Sequence, residues 1–292
     1  MKIGEKSLKV HRKLRGKIVV SSKVKIRSFA DLSAYYTPGV GAVSSYLARH
    51  KGEVRKFTMK GNSVAIVSDG SAVLGLGNLG PEGAIPVMEG KTMIFKEFAG
   101  IDAFPIVLDT QDSDEIVRTI EAIAPVFGGV NLEDISAPRC FEIESRLKES
   151  LDIPVMHDDQ HGTAIVVLAG LVNAFKAVRK NLKKAKIAVL GAGAAGTAIT
   201  KLLLHYGVRD IVVVDSRGIL GPGRKKLEPY KRELARMTNK SGIDGGVGEA
   251  VLGRDAVVGV SQSGILKPEH VRTMTAYPVV FAMANPVPEI MP

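Results

Sequence analysis

The stretch Lys186-Ile187-Ala188-Val189-Leu190-Gly191-Ala192-Gly193-Ala194-Ala195-Gly196 decides the fold. An apolar run of strand length ends in a Gly-x-Gly-x-x-Gly turn, and Ala194 to Tyr206 then reads as a helix. A second strand, Asp210 to Val214, ends at Asp215, nineteen residues past Gly196. Strand, glycine turn, helix and acid-tipped strand in this order predict a dinucleotide site. Gly191, Gly193 and Gly196 let the backbone approach the pyrophosphate, and Ala194 and Ala195 open the helix whose N-terminus faces it. Asp215 is the acid expected at the ribose hydroxyls, where its charge favours NAD by repelling a 2′-phosphate. Arg217, two residues on, partly offsets that charge, so NADP stays open.

Working outward, Ala256–Gly259 and Pro278–Ala282 read as later strands of the same sheet. Upstream, Val64–Ser68, Ala103–Leu108, Val126–Leu132 and Ile153–His157 are apolar strand runs. A helix signal, Ser113 to Ala124, lies among them, its Asp114 and Glu115 suited to a helix N-terminus. Strands alternating with helices predict an α/β fold with parallel sheets. The boundary falls near residue 160, giving an N-terminal α/β domain, 1–160, and a Rossmann-like nucleotide-binding domain, 161–292. Residues Gly70 to Gly83 form a loop with five glycines, and a basic helix and an extended piece around Lys17–Val20 open the chain.

Two acidic pairs stand where strand readings end: Glu133-Asp134 after Leu132, and Asp158-Asp159 after His157. Clustered carboxylates repel one another, and a hard divalent cation, Mg²⁺ or Mn²⁺, is the usual compensation. A metal site with a dinucleotide site points to metal-assisted redox chemistry. His157 and His161 have the spacing of a zinc-hydrolase helix, but the residues between them, Asp158-Asp159-Gln160, lack its general-base glutamate. Gly162 places the helix start after both imidazoles, which suits orienting or structural roles.

The bulk numbers narrow the class. Over 292 residues the formal net charge is +10. The basic residues are scattered, and their densest cluster, Lys180 to Lys186, precedes a buried strand. A solvated lysine-rich surface, or a field drawing in an anionic substrate, is therefore expected rather than nucleic-acid binding. No apolar stretch has transmembrane length, and Lys and Arg interrupt any signal-peptide pattern in the first twenty residues. The lone Cys140 fits a reducing cytoplasm.

Several segments together resemble the malic enzymes, specifically the small prokaryotic type. They are Tyr36-Thr37-Pro38-Gly39-Val40, Leu74 to Gly80, Gly90-Lys91, Asn131-Leu132-Glu133-Asp134-Ile135, His157 to Ala164, and Asn285-Pro286-Val287-Pro288-Glu289. The likeness runs over essentially the whole chain in the family's order. It implies oxidative decarboxylation of malate to pyruvate and CO₂ with reduction of NAD or NADP. It further implies Lys91 and Tyr36 as catalytic residues, Glu133, Asp134 and Asp159 as metal ligands, Asp158 as support for the site, and Asn285 at the substrate. A homodimer or higher homo-oligomer, a malolactic or oxaloacetate-decarboxylating activity, and an inactive or binding-only subunit are further expectations on the same scaffold.

The sequence departs from the family in two places. Ala72 stands where larger relatives carry a substrate-binding arginine, so other donors, such as amides of the Gly70–Gly83 loop, are expected to hold the substrate carboxylate. The chain also stops at Pro292, before a second substrate-contacting asparagine and the elements that cover the last sheet. Exposure of Val279, Val280 and Phe281, and the behaviour of a truncated chain, are the corresponding expectations.

Overall fold

The computed structural model of the chain describes residues 3–292. The chain separates into two compact units, each woven from non-contiguous segments. The first runs to Gly70 and includes Gly80–Leu132 and Ser145–Val155; the second comprises Ser71–Leu79, Glu133–Glu144 and Met156–Pro292.

The N-terminal part opens with helices α1 (Ile3–Leu14), α2 (Phe29–Tyr35), α3 (Val40–Arg49) and the short α4 (Val54–Phe57). None of the four buries a residue fully. Large apolar side chains stand in the open along this segment, among them Ile3, Val19 and Phe29. The predicted basic helix corresponds to α1, apart from residues 1 and 2, which lie outside the described residues. The piece at Lys17–Val20 is irregular backbone outside both sheets, and its Lys17 amide donates to Glu89 Oε2 at 3.1 Å.

Next come β1 (Ser63–Ser68), α5 (Gly80–Ala99), β2 (Asp102–Val107), α6 (Ser113–Ile123), β3 (Gly129–Leu132), α7 (Arg139–Ser150) and β4 (Val155–His157). The strands form a sheet in the order β2-β1-β3-β4, with β1 parallel to both neighbours. Helix α6 starts at the Asp112 cap, whose carboxylate accepts from the Glu115 amide, and buries Ile116, Val117 and Ile120. Strand β3 is shorter than its sequence signal, since Ala124–Val126 winds into a 3₁₀ turn around Pro125.

Helix α8 (Asp158–Ala177) follows β4 without a loop. Its start differs from the sequence reading, which placed it at Gly162. Asp158 and Asp159 occupy the first turn, where the helix dipole favours carboxylates, and Gly162 lies inside the helix. The remaining elements are β5 (Lys186–Leu190), α9 (Ala194–Tyr206), β6 (Asp210–Asp215), β7 (Gly218–Ile219), α10 (Pro229–Met237), α11 (Val247–Val251), β8 (Ala256–Gly259), α12 (Pro268–Arg272) and β9 (Val279–Ala282). Their sheet has the order β7-β6-β5-β8-β9, parallel except at β7. Neighbours β6 and β8 flank β5, so the order reverses at the turn that leaves β5, where nucleotides bind in doubly wound sheets.

One core layer packs Leu171 and Phe175 of α8, Ile199 and Leu203 of α9, and the sheet residues Ile187, Val189, Val213 and Val258. Val279 is buried in the same layer, and Phe281 packs onto it and against Gly170 of α8. The expected exposure of this strand is thus corrected: α8 covers one face, and Val280 packs into the opposite layer with Leu190 and Val257. Among the described residues, no helix is long and apolar enough to cross a membrane.

The glycine turn is sterically obligatory. A Cβ on Gly196 would lie 1.9 Å from the Gly191 carbonyl oxygen, and Gly191 itself has φ +121° with a built Cβ 2.6 Å from the Val260 carbonyl. Both obstacles are backbone, which a side-chain rotation cannot relieve. Gly196→Ala is expected to destabilise the chain by about 1–3 kcal/mol in urea unfolding and to weaken NAD binding in calorimetry.

Candidate active site

Strand β3 delivers Glu133 and Asp134 at its carboxyl end, both nearly fully buried. Asp134 has φ 54°, the left-handed region that costs most residues strain and that Asp tolerates better than most. This conformation aims its peptide groups at two other segments. Its carbonyl accepts from the Ala72 amide at 3.0 Å, and its own amide donates to Asp159 Oδ2 at 2.9 Å. Its carboxylate lies 3.5 Å from the Leu74 amide. Asp134 therefore ties the 71–79 loop and the first turn of α8 together.

His157 caps α8 and has no solvent exposure. Its Nε2 stands 3.3 Å from Asp159 Oδ2, and Nδ1 has no hydrogen-bond partner among the described residues. Burial holds the imidazole pKa below its ordinary value, against the opposing pull of Asp159 and Glu144. Glu144 of α7 is the hub on the other side. Its carboxylate accepts from the His157 amide at 3.1 Å, from Gln160 Nε2 at 3.1 Å and from His161 Nε2 at 2.8 Å. His161 is thus turned towards Glu144, and the two histidines do not converge on a common point. Asp158 folds back over α8: a Cβ on Gly162 would meet its Oδ1 at 2.2 Å.

Asn285 follows β9 and lies in the same unit, where a Cβ on Gly75 would come 3.1 Å from its carbonyl oxygen. The fully buried Glu289 clamps this segment, accepting from the Ser261 amide at 2.8 Å and from the Ala284 amide at 3.0 Å. Tyr36 and Lys91 belong to the other unit. Tyr36 ends α2 and is 64% exposed, while Lys91 is half-buried on α5.

At the nucleotide turn, the Gly191 amide donates to the Val214 carbonyl at 2.8 Å, so the end of β6 lies beside the turn. There Asp215 is already engaged. Arg224 grips it with Nη1 at 2.7 Å from Oδ1 and Nη2 at 3.3 Å from Oδ2, and the Arg217 amide donates to Oδ1 at 2.9 Å.

The donor chemistry fits a hard divalent cation: Glu133 and Asp134 after β3 and Asp159 in the first turn of α8 are oxygen donors, and the first two are buried. A finished cage is not formed, since among the described residues no group of three His, Cys, Asp or Glu is arranged to hold a metal ion. Glu144 and Arg224 carry no sequence signal of their own, and Glu289 stands in a family segment without a role attached to it. Glu144 sits in a polar helix stretch with no motif around it, and the partners of Glu289 and Arg224 are set by tertiary contact.

Comparison with known proteins matches residues 15–148 to the family model for the malic enzyme N-terminal domain and 160–290 to that for the malic enzyme NAD binding domain. The NAD-dependent malic enzyme of Geobacillus stearothermophilus is 56% identical over 277 residues, which make up 95% of this chain and 58% of that protein. The bifunctional malic/malolactic enzyme of Bacillus subtilis is 53% identical over 293 residues, covering 100% of this chain and 72% of its own length. A crystal structure of an NAD-dependent malic enzyme from Thermotoga maritima superposes with a TM-score of 0.95 at 49% identity, over 98% of this chain and 76% of that one. The chain thus spans a little over half the length of the Geobacillus relative.

Cys140, on α7, is fully buried. Burial pushes its thiol up to about 12, helped by the Asp159 and Glu144 carboxylates. The thiol is expected to resist iodoacetamide at pH 8 in the native protein and to react on urea unfolding, as read by mass spectrometry.

Proposed function

The chain belongs to the malic enzyme family, and from that membership we propose that it oxidatively decarboxylates malate to pyruvate and CO₂ while reducing NAD or NADP. The observation that carries this reading is the bond from the Asp134 amide to Asp159, which joins two acidic chain ends in the unit that also holds the nucleotide turn. We assign residues 1–160 to the catalytic half and 161–292 to the nucleotide half.

Glu133, Asp134 and Asp159 would hold Mg²⁺ or Mn²⁺, with Asp158 supporting them. When bound, the cation supplies Lewis-acid polarisation of the malate C2 oxygen. Lys91 would accept the C2 hydroxyl proton, and a nicotinamide bound at the glycine turn would supply the hydride acceptor. Loss of CO₂ leaves an enol, and Tyr36 delivers a proton to its terminal carbon to give pyruvate. Asn285 orients the substrate, held in place by the Glu289 clamp. Backbone amides of the Gly70–Gly83 loop would hold the malate carboxylate in place of the arginine for which Ala72 stands. Gly191, Gly193, Ala194, Ala195 and Gly196 cradle the pyrophosphate.

The exposed apolar side chains of α1–α3 favour self-association, and we assign the chain to a homodimer or higher homo-oligomer. A cytoplasmic location and independence from nucleic acid complete the reading. The bifunctional relative supports a second one, in which NAD is retained and lactate is released.

Malate with Mn²⁺ is expected to yield free NADH or NADPH at 340 nm, and EDTA to abolish it. Lactate without free reduced cofactor would favour the second reading, and nucleotide binding without turnover would favour a binding-only subunit. Lys91→Ala should lower kcat by ~10²–10⁴-fold while calorimetry shows NAD binding nearly intact; near-normal turnover would remove Lys91 from its role.

A further inference from the structure

The segment that follows β9 places a carboxylate where solvent does not reach. Glu289 is fully buried, and backbone takes both of its oxygens: Oε1 accepts from the Ser261 amide at 2.8 Å and Oε2 from the Ala284 amide at 3.0 Å. Its main chain closes the same place. The Glu289 carbonyl accepts from the Leu266 amide at 3.1 Å, and the Pro288 carbonyl from the Gly264 amide at 3.2 Å. Room for the side chain comes from Gly259, the last residue of β8, where a Cβ would fall on the Glu289 carboxyl carbon. A buried carboxylate is costly without donors, and here two amides satisfy it and hold it still.

The position of those two donors gives the clamp its meaning. Strands β8 and β9 are parallel neighbours, with Gly259 opposite Ala282, so Ser261 and Ala284 lie just past their carboxyl ends. Ligands of open α/β sheets bind along that edge. On one side, Ser261 follows Val260, whose carbonyl oxygen lies 2.6 Å from a Cβ built on Gly191. The loop after β8 therefore backs the nucleotide turn. On the other side, Ala284 precedes Asn285, whose carbonyl oxygen lies 3.1 Å from a Cβ built on Gly75. The Met283 amide still reaches the Gly259 carbonyl at 3.0 Å, and beyond that bond the Glu289 carboxylate takes over the joining of the two chain ends.

We propose that Glu289 is a positioning residue for hydride transfer. It sets the spacing between the loop after β8, on the nucleotide side, and the Asn285 segment, on the malate side, and acts through those two loops. The proposal rests on the malate and dinucleotide reading and deepens it. Two N–H donors require two acceptor oxygens, so a carboxylate suits the place and a primary amide does not: its NH₂ group would face one of the donors.

Glu289→Gln spoils the clamp from the carboxylate and Gly259→Ala from the floor beneath it. With malate and Mn²⁺, each variant should lower kcat about 10–100-fold. The KM for malate and the calorimetric dissociation constant of the dinucleotide should stay close to those of the unaltered chain, because each loop keeps its own ligand. With malate deuterated at C2, the primary isotope effect on kcat should be at least that of the unaltered chain, since the misaligned step is the hydride transfer. A near-normal kcat in Glu289→Gln, a loss carried by KM alone, or a smaller isotope effect overturns the proposal while the malate reading stands. Amide hydrogen exchange reads the clamp without any substitution. The Ser261 and Ala284 amides should exchange far more slowly than that of the exposed Gln262, and equal rates overturn the proposal even where a variant fails to fold. Absence of malate turnover in the unaltered chain defeats the malate reading, and this proposal with it.

Discussion

The hydrogen bond from the Asp134 amide to the Asp159 carboxylate is the joint on which the candidate site depends. It is available because Asp134 adopts a left-handed backbone, which turns its N–H towards α8 and its carbonyl towards the Ala72 amide. A residue in ordinary extended geometry after β3 would direct those groups elsewhere. Strain of this kind, of order 1–3 kcal/mol, persists only where surrounding structure over-determines it. Here the loop at 71–79 and the first turn of α8 supply that restraint. Three separated stretches of chain are thereby tied together around Asp134.

The cost of gathering carboxylates is offset by neighbours on every side. Glu144 takes an amide and two side-chain donors, and Asp158 folds along its own helix. The α8 dipole favours Asp158 and Asp159 in its first turn. Burial holds the His157 imidazole below its ordinary pKa, against the pull of the neighbouring carboxylates. Glu289 uses the same device at the other end of the unit, a buried carboxylate satisfied by backbone amides that fixes the segment bearing Asn285. Rigid anchoring of this sort is what a site needs if substrate and cofactor are to meet in one geometry.

Much of this architecture was legible in the residues. The apolar runs at Val64–Ser68 and Lys186–Leu190 became strands, and the turn at Gly191–Gly196 lies where its spacing required. The errors share a cause. Gly162 signals a helix boundary in sequence, yet α8 starts at Asp158, because the helix holds an interior glycine where the Asp158 carboxylate needs the space. The predicted exposure around Phe281 ignored the reach of α8 across the sheet. Both are cases in which a distant segment decides a local outcome.

Local order along the chain determined the α/β class, the nucleotide turn and the residues at each strand end. Those properties follow from periodicity, from the space that glycine leaves and from chemistry carried on adjacent residues. Tertiary structure alone decided which charges meet. Arg224 reaches Asp215 across a nine-residue excursion, Glu144 meets His157 and His161 from another helix, and Asp134 meets Asp159 across twenty-five residues. A carboxylate's role depends on what lies within about 4 Å of it, and that distance is set by folding, not by sequence spacing.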